Sequence, residues 1–530
     1  MTDGRFTIDF RDIPYIPEML KDYLKGDLNE YQNLHYSKQN ALIQAYRKSR
    51  NYSPEYRKVL VEVLTRQMQK VSITAKQMQY IELLKQENTF TVTTGHQLNL
   101  FTGPVFFIYK ILQTIKTAQY LSENNEGKNF VPLFWMATED HDFEEINHFK
   151  TERNFYKIHE KSGGAVGRIQ LSDLSFLDEY EKEFKDFTYG TELIRWIREA
   201  YQEGRSLALA TRILVNRIFG RYGLLILNPD DKQLKKIASP IFEKELKEKA
   251  LYTSTQQSVE QLVKQYGKVQ VNPREINLFY LRKNARNRIQ KIGEQYQVLD
   301  TDIHFSQAEI LAEMREYPHR FSPNAVLRPV YQEAILPNVV YIGGNAEVMY
   351  WLELKIFFEA LGLEFPLLLP RASLAFITEK TFHKIQKLNL KVEDFFGNYQ
   401  ELVHQKLLEN TSLYALLEEK EKVIHTLFKT LKEQAELTDK TFGNLVIAEQ
   451  MRQLKSFTRM KKRLLRAEKI IQADLYQRYN ELYEKLNPEG VWQERKINFS
   501  DFYAENGPEW LQTCYENINE NTSALTIVVL

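Results

Sequence analysis

The stretch from Thr89 to Asp142 constrains the fold of this 530-residue chain more than any other. A β-rich run, Thr91 to Thr93, leads into a polar loop, Thr94 to Gln97, and a second apolar run, Val131 to Ala137, ends in the sequence TEDHD. An apolar helix lies between them, so the pattern predicts a strand–loop–helix–strand unit. Ligands of open parallel α/β sheets bind beyond the carboxyl ends of the strands. Both polar segments are therefore predicted to face one crevice.

The helix of this unit is predicted to follow the turn formed by Thr102, Gly103 and Pro104. Proline suits the first helical position, where a missing N–H costs nothing, and Thr102 or Gly103 can cap the helix. Apolar residues then recur at helical spacing, which predicts one buried face. These residues are Val105, Ile108, Leu112, Ile115 and Ala118.

Three later apolar runs also end in polar turns. Leu224 to Leu227 precedes the sequence NPDD, Val339 to Ile342 precedes GGN, and Phe365 to Leu369 precedes PRAS. Strands that alternate with helices in this way are typical of a doubly wound sheet. Residues 1–375 are therefore predicted to form an α/β domain with a doubly wound core.

The turn at Gly343, Gly344 and Asn345 is predicted to precede a single helix, Ala346 to Leu361, with Glu347 in its first turn. Glycines at such a junction let backbone N–H groups approach a ligand, and a helix N-terminus favours anions. The turn is thus a candidate phosphate-binding segment.

Two insertions interrupt the predicted core, at roughly residues 150–205 and 265–325. The second carries predicted strands at Val269 to Val271 and Leu278 to Leu281. It also carries a group of cations, which form either a solvated β-ribbon or a lid that faces an anion, because arginine suits carboxylate and phosphate. These cations are Arg274, Arg282, Lys283, Arg286 and Arg288.

Residues 376–530 are predicted to form a helical domain with coiled-coil character and a tail that returns to the core. Two rows of residues follow three-four spacing, and Thr438 to Gly443 supplies a reversal between them, which predicts an antiparallel hairpin. Such an arm is a candidate dimer contact, and it could equally pack on its own chain. The rows are Leu413, Leu416, Lys420, Val423, Leu427 and Leu431, then Leu464, Ala467, Ile471, Leu475, Tyr479, Leu482 and Leu486.

Composition narrows the function classes. The formal charge of +1 gives no global field that would favour nucleic acid or an anionic membrane. A single cysteine, Cys514, excludes a disulfide framework and a multi-cysteine zinc site. The N-terminus lacks a signal-peptide pattern and no apolar run has membrane-spanning length, so we expect a cytoplasmic protein.

The acidic run and the polar loop hold the candidate catalytic groups. Adjacent acids beside His141 can act as a general base or hold a substrate ammonium, or they can simply stabilise a helix N-terminus. The seven-residue spacing of His141 and His148 fits no standard metal site. His96 can stabilise charge on a phosphate or be an ordinary loop histidine. The sequence contains neither a P-loop motif nor GxGxxG.

Several separated segments resemble the bacillithiol-biosynthesis cysteine-adding enzyme family, BshC, over essentially the whole chain. They are TTGHQLNLFTGP, FWMATEDHDFEEINH, NPREINLFYL, FSPNAVLRPVYQEAILPNVVYIGGNAEVMYWLELK and GVWQER. The resemblance implies a Rossmann-like core with connecting-peptide insertions and a dimerising C-terminal coiled coil. It also implies a cysteine ligase that forms an amide with glucosaminyl-malate in the last step of bacillithiol synthesis, using ATP to activate the carboxylate.

The same resemblance implies roles for individual residues. His96, Asp140, His141 and Asp142 are the predicted catalytic residues. No metal ligands and no zinc site of the cysteine type are predicted. The predicted nucleotide- or substrate-binding residues are Thr94, Gly95, Gln97, Gly103, Asn228, Arg328, Gly343, Gly344, Asn345, Arg371 and Ser373.

Two other functions stay open at this point. The TEDHD run would serve a metal-dependent hydrolase, which bound metal and sensitivity to chelation would reveal. A nucleotide-binding assembly factor would instead retain ATP or ADP without turnover and recruit a partner through the coiled coil.

Overall fold

A computed structural model of the protein describes residues 4–28, 31, 34–270, 272–409, 411–435, 437–438, 440–520 and 523–530. The chain divides into two compact units. The core unit comprises Met1–Ala375 and Glu494–Val528, and the helical unit comprises Phe376–Gln493 and Val529–Leu530. The predicted tail, which begins at Pro488, thus contributes most of its residues to the core unit.

Strands and helices alternate through most of the core unit. In chain order the strands are β1 (Arg5–Asp9), β2 (Thr89–His96), β3 (Asn129–Met136), β4 (His148–Lys150), β5 (Phe155–Lys157), β6 (Leu225–Leu227), β7 (Leu278–Arg282), β8 (Ala285–Ile292), β9 (Gln295–Val298), β10 (His304–Ser306), β11 (Phe321–Pro323), β12 (Asn338–Gly343), β13 (Leu367–Pro370), β14 (Ser373–Ile377) and β15 (Ala524–Val529).

The α-helices in chain order are α1 (Glu18–Lys25), α2 (Lys38–Asn51), α3 (Pro54–Met68), α4 (Ala75–Leu83), α5 (Phe106–Glu123), α6 (Phe143–Ile146), α7 (Phe176–Phe184), α8 (Gly190–Ala200), α9 (Leu207–Phe219), α10 (Lys232–Glu248), α11 (Ala250–Tyr266), α12 (Gln307–Glu316), α13 (Arg328–Ile335), α14 (Asn345–Glu353), α15 (Lys355–Ala360), α16 (Glu379–Lys387), α17 (Tyr399–Leu408), α18 (Ser412–Ala435), α19 (Lys440–Ile471), α20 (Ala473–Leu486) and α21 (Ser500–Asn517).

The central sheet is parallel, with strand order β13-β12-β2-β3-β6. Its strands are buried on both faces because helices cover both sides, as in other doubly wound sheets. Phe90, Val92, Val340 and Leu367 lie in its core together with Ala118 of α5. The strand order reverses between β2 and β12, and ligands bind at such switch points. The predicted Rossmann-like fold is confirmed.

The start of α5 differs from the prediction. The helix begins at Phe106, and Val105 is its N-cap residue, without a side-chain cap. Pro104 instead pairs with Asn498, and the Val105 N–H donates to the Ile497 carbonyl oxygen, so the tail rather than Thr102 or Gly103 fixes this end of the helix. The predicted apolar face of α5 is buried.

The second insertion is larger than the predicted ribbon. It forms an antiparallel sheet in the order β10-β9-β8-β7-β11, joined to α12. The predicted strand Leu278 to Leu281 is present as β7. Val269 and Gln270 form no strand, and Val271 lies outside the described residues.

The segment after β12 also departs from the prediction of one continuous helix. Two helices, α14 and α15, meet at Leu354, which is the C-cap residue of α14 and the N-cap residue of α15. Glu347 does lie in the first turn of α14. The N-terminus of α14 therefore stands directly beyond the carboxyl end of β12.

In the helical unit, α18 and α19 form the predicted antiparallel hairpin: Lys461 pairs with Glu418 and Glu421, and His425 lies opposite Gln450. The predicted reversal at Thr438 to Gly443 is misplaced, because α19 already begins at Lys440. Residues 436 and 439 of the connection lie outside the described part of the chain.

The predicted apolar rows do not form the seam of this hairpin. Leu413, Leu416, Val423, Leu427 and Leu431 are exposed on α18, so the first row faces away from α19. The second row is not one helix, because α19 ends at Ile471 and α20 begins at Ala473. Across the described residues, the helices lack the combination of length and apolar character needed to cross a membrane.

Candidate active site

A cavity of about 680 Å³ lies beyond the carboxyl ends of the parallel strands. The ends of β2 and β3 and the N-terminus of α14 line it, as the strand pattern predicted. The inserted antiparallel sheet supplies another wall, and α5 supplies Phe106 and Lys110. Its position at the strand reversal is where ligands bind in this fold.

The end of β2 brings Gly95, His96 and Gln97 to the cavity. The predicted polar loop is wrong in part, because Thr94, Gly95 and His96 continue the strand, where Gly95 pairs with Trp135 and His96 with Met136. A Cβ on Gly95 would stand 3.2 Å from the Tyr341 hydroxyl and 3.3 Å from Nη1 of Arg328. Glycine thus permits the close approach of these groups.

His96 is held neutral by its surroundings. Burial lowers its pKa to about 3, and the nearby Lys110 cation adds to the effect. Its ring packs against Phe106 and Phe107 at centroid distances of 5.3 and 5.2 Å. The Nε2 atom is buried and has no hydrogen-bond partner within the described part of the protein. An uncharged imidazole that lines the cavity can bind a ligand by hydrogen bonding.

Lys110 joins β2 to α14. Its Nζ donates to the Gly95 carbonyl oxygen at 2.6 Å and to Oε2 of Glu347 at 2.5 Å. The same Oε2 accepts the Gly344 N–H at 2.6 Å. Burial lowers the pKa of Lys110, while Glu347 favours its charged form. Burial raises the pKa of Glu347, but Lys110 and the Gly344 N–H outweigh it and the net pKa is lowered.

Sequence reasoning missed Lys110 because it stands within the apolar helix α5, where spacing predicts only packing. The only signal in the sequence was a basic residue in a helix that is otherwise apolar along this segment. Its side chain is 2% exposed, so the charge is retained in a buried position for a specific partner.

Beyond β3, Asp140 lines the cavity. Oδ2 accepts a hydrogen bond from Nε2 of Gln97 at 2.8 Å, and Oδ1 accepts the His141 N–H at 2.8 Å. Burial would raise the pKa of Asp140, but hydrogen bonds from His141 and Gln97 hold it well below its usual range. The carboxylate is therefore ionised. Its hydrogen bond with Gln97 joins the segments after β2 and β3, which were predicted to face one crevice.

The other acids of the TEDHD run face different surroundings. Glu139 is buried and paired with Lys235, whose Nζ also donates to the Phe321 carbonyl oxygen at 2.6 Å. Burial raises the pKa of Glu139, opposed by Lys235. Asp142 is exposed, does not line the cavity, and caps the short helix α6 through the Glu145 N–H at 3.4 Å. Its catalytic role stays a prediction.

His141 lines the cavity beside the inserted sheet. Its Nδ1 is 3.1 Å from Nη1 of Arg286, whose guanidinium lies 3.9 Å above the Phe279 ring. Arg274 and Arg288 line the same cavity, whereas Arg282 and Lys283 do not. Three of the five predicted cations thus face the site, as the lid interpretation required.

Among the predicted binding residues, Arg328, Gly344, Asn345 and Arg371 also line the cavity. Arg328 donates to the Tyr350 hydroxyl at 2.7 Å and to Oε1 of Gln332 at 3.1 Å. Arg371 forms a two-point ion pair with Glu494, at 3.0 and 2.7 Å. Its guanidinium is therefore already held by a buried carboxylate.

The remaining predicted binding residues do not line the cavity. Thr94 donates to the Ile342 carbonyl oxygen at 2.8 Å within the sheet. Asn228 accepts from the Thr138 hydroxyl at 2.6 Å, and Ser373 donates to Glu494 at 3.0 Å. Gly103 has a φ of 65°, and its carbonyl oxygen accepts from Asn498 at 2.6 Å. These contacts hold the fold together, as does the Gly343 carbonyl oxygen, which accepts the Arg371 N–H at 2.8 Å.

The cavity is rich in cations. It is lined by Lys110, Arg274, Arg286, Arg288, Arg328, Arg371 and Arg495 against the carboxylates of Glu139, Asp140 and Glu347. Within the described residues, no three His, Cys, Asp or Glu side chains are grouped to hold a metal ion. Cys514 is buried outside the cavity, where burial raises the pKa of its thiol. The arrangement suits an anionic ligand that also carries an ammonium group.

Known proteins match this chain along its length. Residues 7–372 match the family model of bacillithiol biosynthesis BshC, N-terminal Rossmann-like domain, and residues 374–530 match that of its C-terminal coiled-coil domain. A relative from Flavobacterium johnsoniae is 42% identical, over 95% of each chain. Relatives from Flavobacterium psychrophilum and Christiangramia forsetii are 39% and 38% identical, each over 98% of both chains.

All three relatives carry the name "Putative cysteine ligase BshC". The two matching domain models adjoin at residue 373 and together leave only residues 1–6 and residue 373 unmatched. The resemblance seen in the sequence motifs is thereby confirmed. The chain belongs to the BshC family of bacillithiol biosynthesis.

Proposed function

We propose that this protein is the ligase that joins cysteine to the amine of glucosaminyl-malate in the last step of bacillithiol synthesis. The main support for this proposal is the cavity, which Lys110 and several arginines line together with the ionised carboxylate of Asp140. Amide formation needs a carboxylate that has been made electrophilic and an amine held beside it. The side chains that line the cavity offer groups for both tasks.

ATP is the proposed activating substrate, bound at the strand reversal. Gly344 and Asn345 stand at the N-terminus of α14, where backbone N–H groups favour phosphate. Lys110 and Arg328 supply positive charge at the same place, and neutral His96 lies beside them. Such fixed charges stabilise the negative charge that develops on a phosphate as it is transferred.

Asp140 is proposed to bind the ammonium group of cysteine. An ionised carboxylate forms strong hydrogen bonds with an ammonium donor. Gln97 fixes its orientation through the 2.8 Å hydrogen bond to Oδ2. Arg274 and Arg288 on the inserted sheet suit the two carboxylates of the malyl group, because arginine binds carboxylates through paired donors.

The proposed reaction has two steps. A carboxylate oxygen of cysteine attacks either the α-phosphorus of ATP, which displaces pyrophosphate, or the γ-phosphorus, which displaces ADP. Either attack leaves a mixed anhydride. The glucosamine nitrogen then attacks the activated carbonyl carbon, loses a proton, and expels the phosphate-bearing group as the C–N bond forms. The nucleotide product, AMP or ADP, identifies which phosphorus is attacked.

The protein is further proposed to act in the cytoplasm as a homodimer. The exposed apolar row on α18, from Leu413 to Leu431, is the surface assigned to the second copy. Rows of apolar residues at three-four spacing pair in coiled coils, where each copy buries the row of the other.

The first experiment measures low-molecular-weight thiols by mass spectrometry in a strain that lacks the gene. Loss of bacillithiol with accumulation of glucosaminyl-malate, reversed by the restored gene, is the expected result. Normal bacillithiol levels in the deletion strain would contradict the proposal. Restoration with Asp140→Asn tests whether the cavity performs the reaction.

Purified protein then separates a ligase from an accessory factor. Incubation with cysteine, glucosaminyl-malate and ATP is expected to yield bacillithiol together with stoichiometric AMP or ADP. Binding of ATP without turnover would favour the assembly-factor function instead.

A further inference from the structure

Two charged groups lie near the same nitrogen of His141. Nη1 of Arg286 is 3.1 Å from Nδ1, and Oδ1 of Asp140 is 3.5 Å from it. A guanidinium group has N–H donors and no acceptor. The closer contact is therefore a hydrogen bond only when Nδ1 carries a lone pair and the ring proton is on Nε2.

Arg286 has little freedom to turn away. Its Nη2 donates to the Pro323 carbonyl oxygen at 2.9 Å, and its Nε donates to the Ser322 hydroxyl at 3.2 Å. The guanidinium also stacks on the Phe279 ring. These partners belong to β7 and β11, so the inserted sheet fixes the donor that faces His141.

Asp140 is the more distant neighbour of Nδ1, at 3.5 Å. Its Oδ1 already accepts the backbone N–H of His141, and its Oδ2 accepts from Gln97, both at 2.8 Å. A proton on Nδ1 would also point toward the N–H groups of Arg286. Nδ1 thus faces a donor at 3.1 Å and an acceptor at 3.5 Å, and the shorter contact forms when Nδ1 is the acceptor.

The geometry points to Arg286 as a positioning residue that holds His141 in the neutral Nε2–H tautomer. Nδ1 is then occupied as an acceptor and Nε2 by its proton, so the ring has no free lone pair with which to remove a proton from the attacking amine. His141 is a hydrogen-bond donor, and its ligand is an oxygen atom of the substrate that gains negative charge as the amine attacks. This donor role rests on the proposed ligase function, whereas the tautomer does not.

Nuclear magnetic resonance of the full-length, ligand-free protein labelled with ¹⁵N-histidine tests the tautomer directly. Long-range ¹H–¹⁵N correlations distinguish Nε2–H from Nδ1–H rings, and His141→Gln identifies the signals of His141. At about pH 8, above the usual range of histidine pKa values, the wild-type ring is expected to be Nε2–H. An Nδ1–H ring or an equal mixture would overturn the inference.

Two variants test the part played by Arg286. Arg286→Gln is expected to shift His141 toward a mixture of tautomers. Arg282→Gln, which makes the same change on an exposed residue of the same sheet outside the cavity, is expected to leave the spectrum unchanged. An unaltered His141 signal in Arg286→Gln would remove the positioning role.

Kinetics of two further variants test the donor role. The side-chain amide of His141→Gln reaches approximately the position of Nε2, whereas that of His141→Asn reaches only that of Nδ1. His141→Gln is expected to retain a kcat/KM about tenfold or more above that of His141→Asn, because loss of one preorganised donor costs about 100-fold. Equal losses in both variants would overturn the donor role. Absence of turnover by the wild-type protein would refute the ligase function, and the magnetic resonance result would still decide the tautomer.

Discussion

Lys110 and Glu347 form an ion pair across the strand reversal, with Nζ 2.5 Å from Oε2. Glu347 thereby places a carboxylate on the Gly344 N–H, at the helix N-terminus where phosphates bind in this fold. A phosphate that enters this position meets a carboxylate already in place. Lys110 can exchange this carboxylate for the incoming phosphate without moving from the cavity.

Lys110→Met is therefore expected to lower kcat/KM for ATP by about 100-fold, the usual loss when one charge-stabilising group is removed. Steady-state kinetics with ATP as the varied substrate measures the effect. Turnover within a few-fold of wild type would show that Lys110 does not contact the phosphates.

The same substitution has a separate effect on stability, because it leaves Glu347 without its counter-charge. The free energy of unfolding is expected to fall by about 2 kcal/mol, below the usual range for a broken buried pair since Glu347 is 27% exposed. Urea denaturation of Lys110→Met/Glu347→Gln should show most of this stability regained, with kcat/KM for ATP still lowered. Recovered activity in the double variant would mean that Lys110 serves only to neutralise Glu347.

Asp140→Asn and Asp142→Asn make the same chemical change two positions apart. Asp140 lines the cavity and accepts from Gln97, whereas Asp142 is exposed and caps a short helix. We expect Asp140→Asn to lower kcat/KM for cysteine by about 100-fold and Asp142→Asn to change it by less than about threefold. Equal, large losses would support the sequence-based prediction that Asp142 is catalytic.

The sequence predicted the parallel sheet and the shared crevice because these depend on local patterns. Apolar runs that end in polar turns identify the strands, and the rule for parallel sheets brings Gln97 and Asp140 together across 43 positions. Both polar segments could therefore be placed at one edge of the sheet before their contacts were known.

Contacts made by residues with no local pattern could not be predicted. Arg371 contacts Glu494, which is 123 positions away in the sequence, and Arg286 contacts His141, which is 145 positions away. The apolar row on α18 did not identify the seam of the hairpin for another reason. Three-four spacing predicts a buried face but does not show which helix covers that face. Only the fold distinguishes the seam of the hairpin from its outer surface.

The pH dependence of stability should reveal the buried state of His96. Its folded-state pKa of about 3 lies below the ordinary value of 6.5, so the unfolded chain binds a proton that the folded chain does not. Stability is therefore lost as pH falls from about 6.5 toward 3. Urea unfolding of wild type and His96→Gln across this interval should give a shallower loss in the variant. Parallel curves would show that His96 is not held neutral.

The outer row of α18 predicts the oligomeric state. Val423→Gln/Leu427→Gln is expected to convert a dimer to a monomer, because it places two polar groups in the apolar surface. Light scattering after size-exclusion chromatography measures the mass. Lys422→Gln on another face of α18 is the matched control and should leave the dimer intact; a monomeric wild-type protein would contradict the proposal.

Arg371 and Glu494 provide a test that separates folding from binding. Both side chains are at least 95% buried, and Ser373 adds a third hydrogen bond to the carboxylate. Arg371→Ala should therefore lower the free energy of unfolding by about 3 kcal/mol, because it leaves a buried carboxylate unpaired. Arg371→Lys should recover little of this loss, since a lysine cannot make the two-point contact.

The double variant Arg371→Met/Glu494→Gln completes the test. It removes both charges and should unfold at a urea concentration near that of the wild type, with a KM for ATP within about threefold of the wild-type value, as for a substitution that removes no ligand contact. A stable double variant with a strongly raised KM for ATP would instead show that Arg371 binds the nucleotide, as its place on the cavity wall allows. Measuring both quantities on the same preparations distinguishes the two outcomes. Loss of the ion pair changes the free energy of unfolding, whereas loss of a ligand contact changes the KM for ATP.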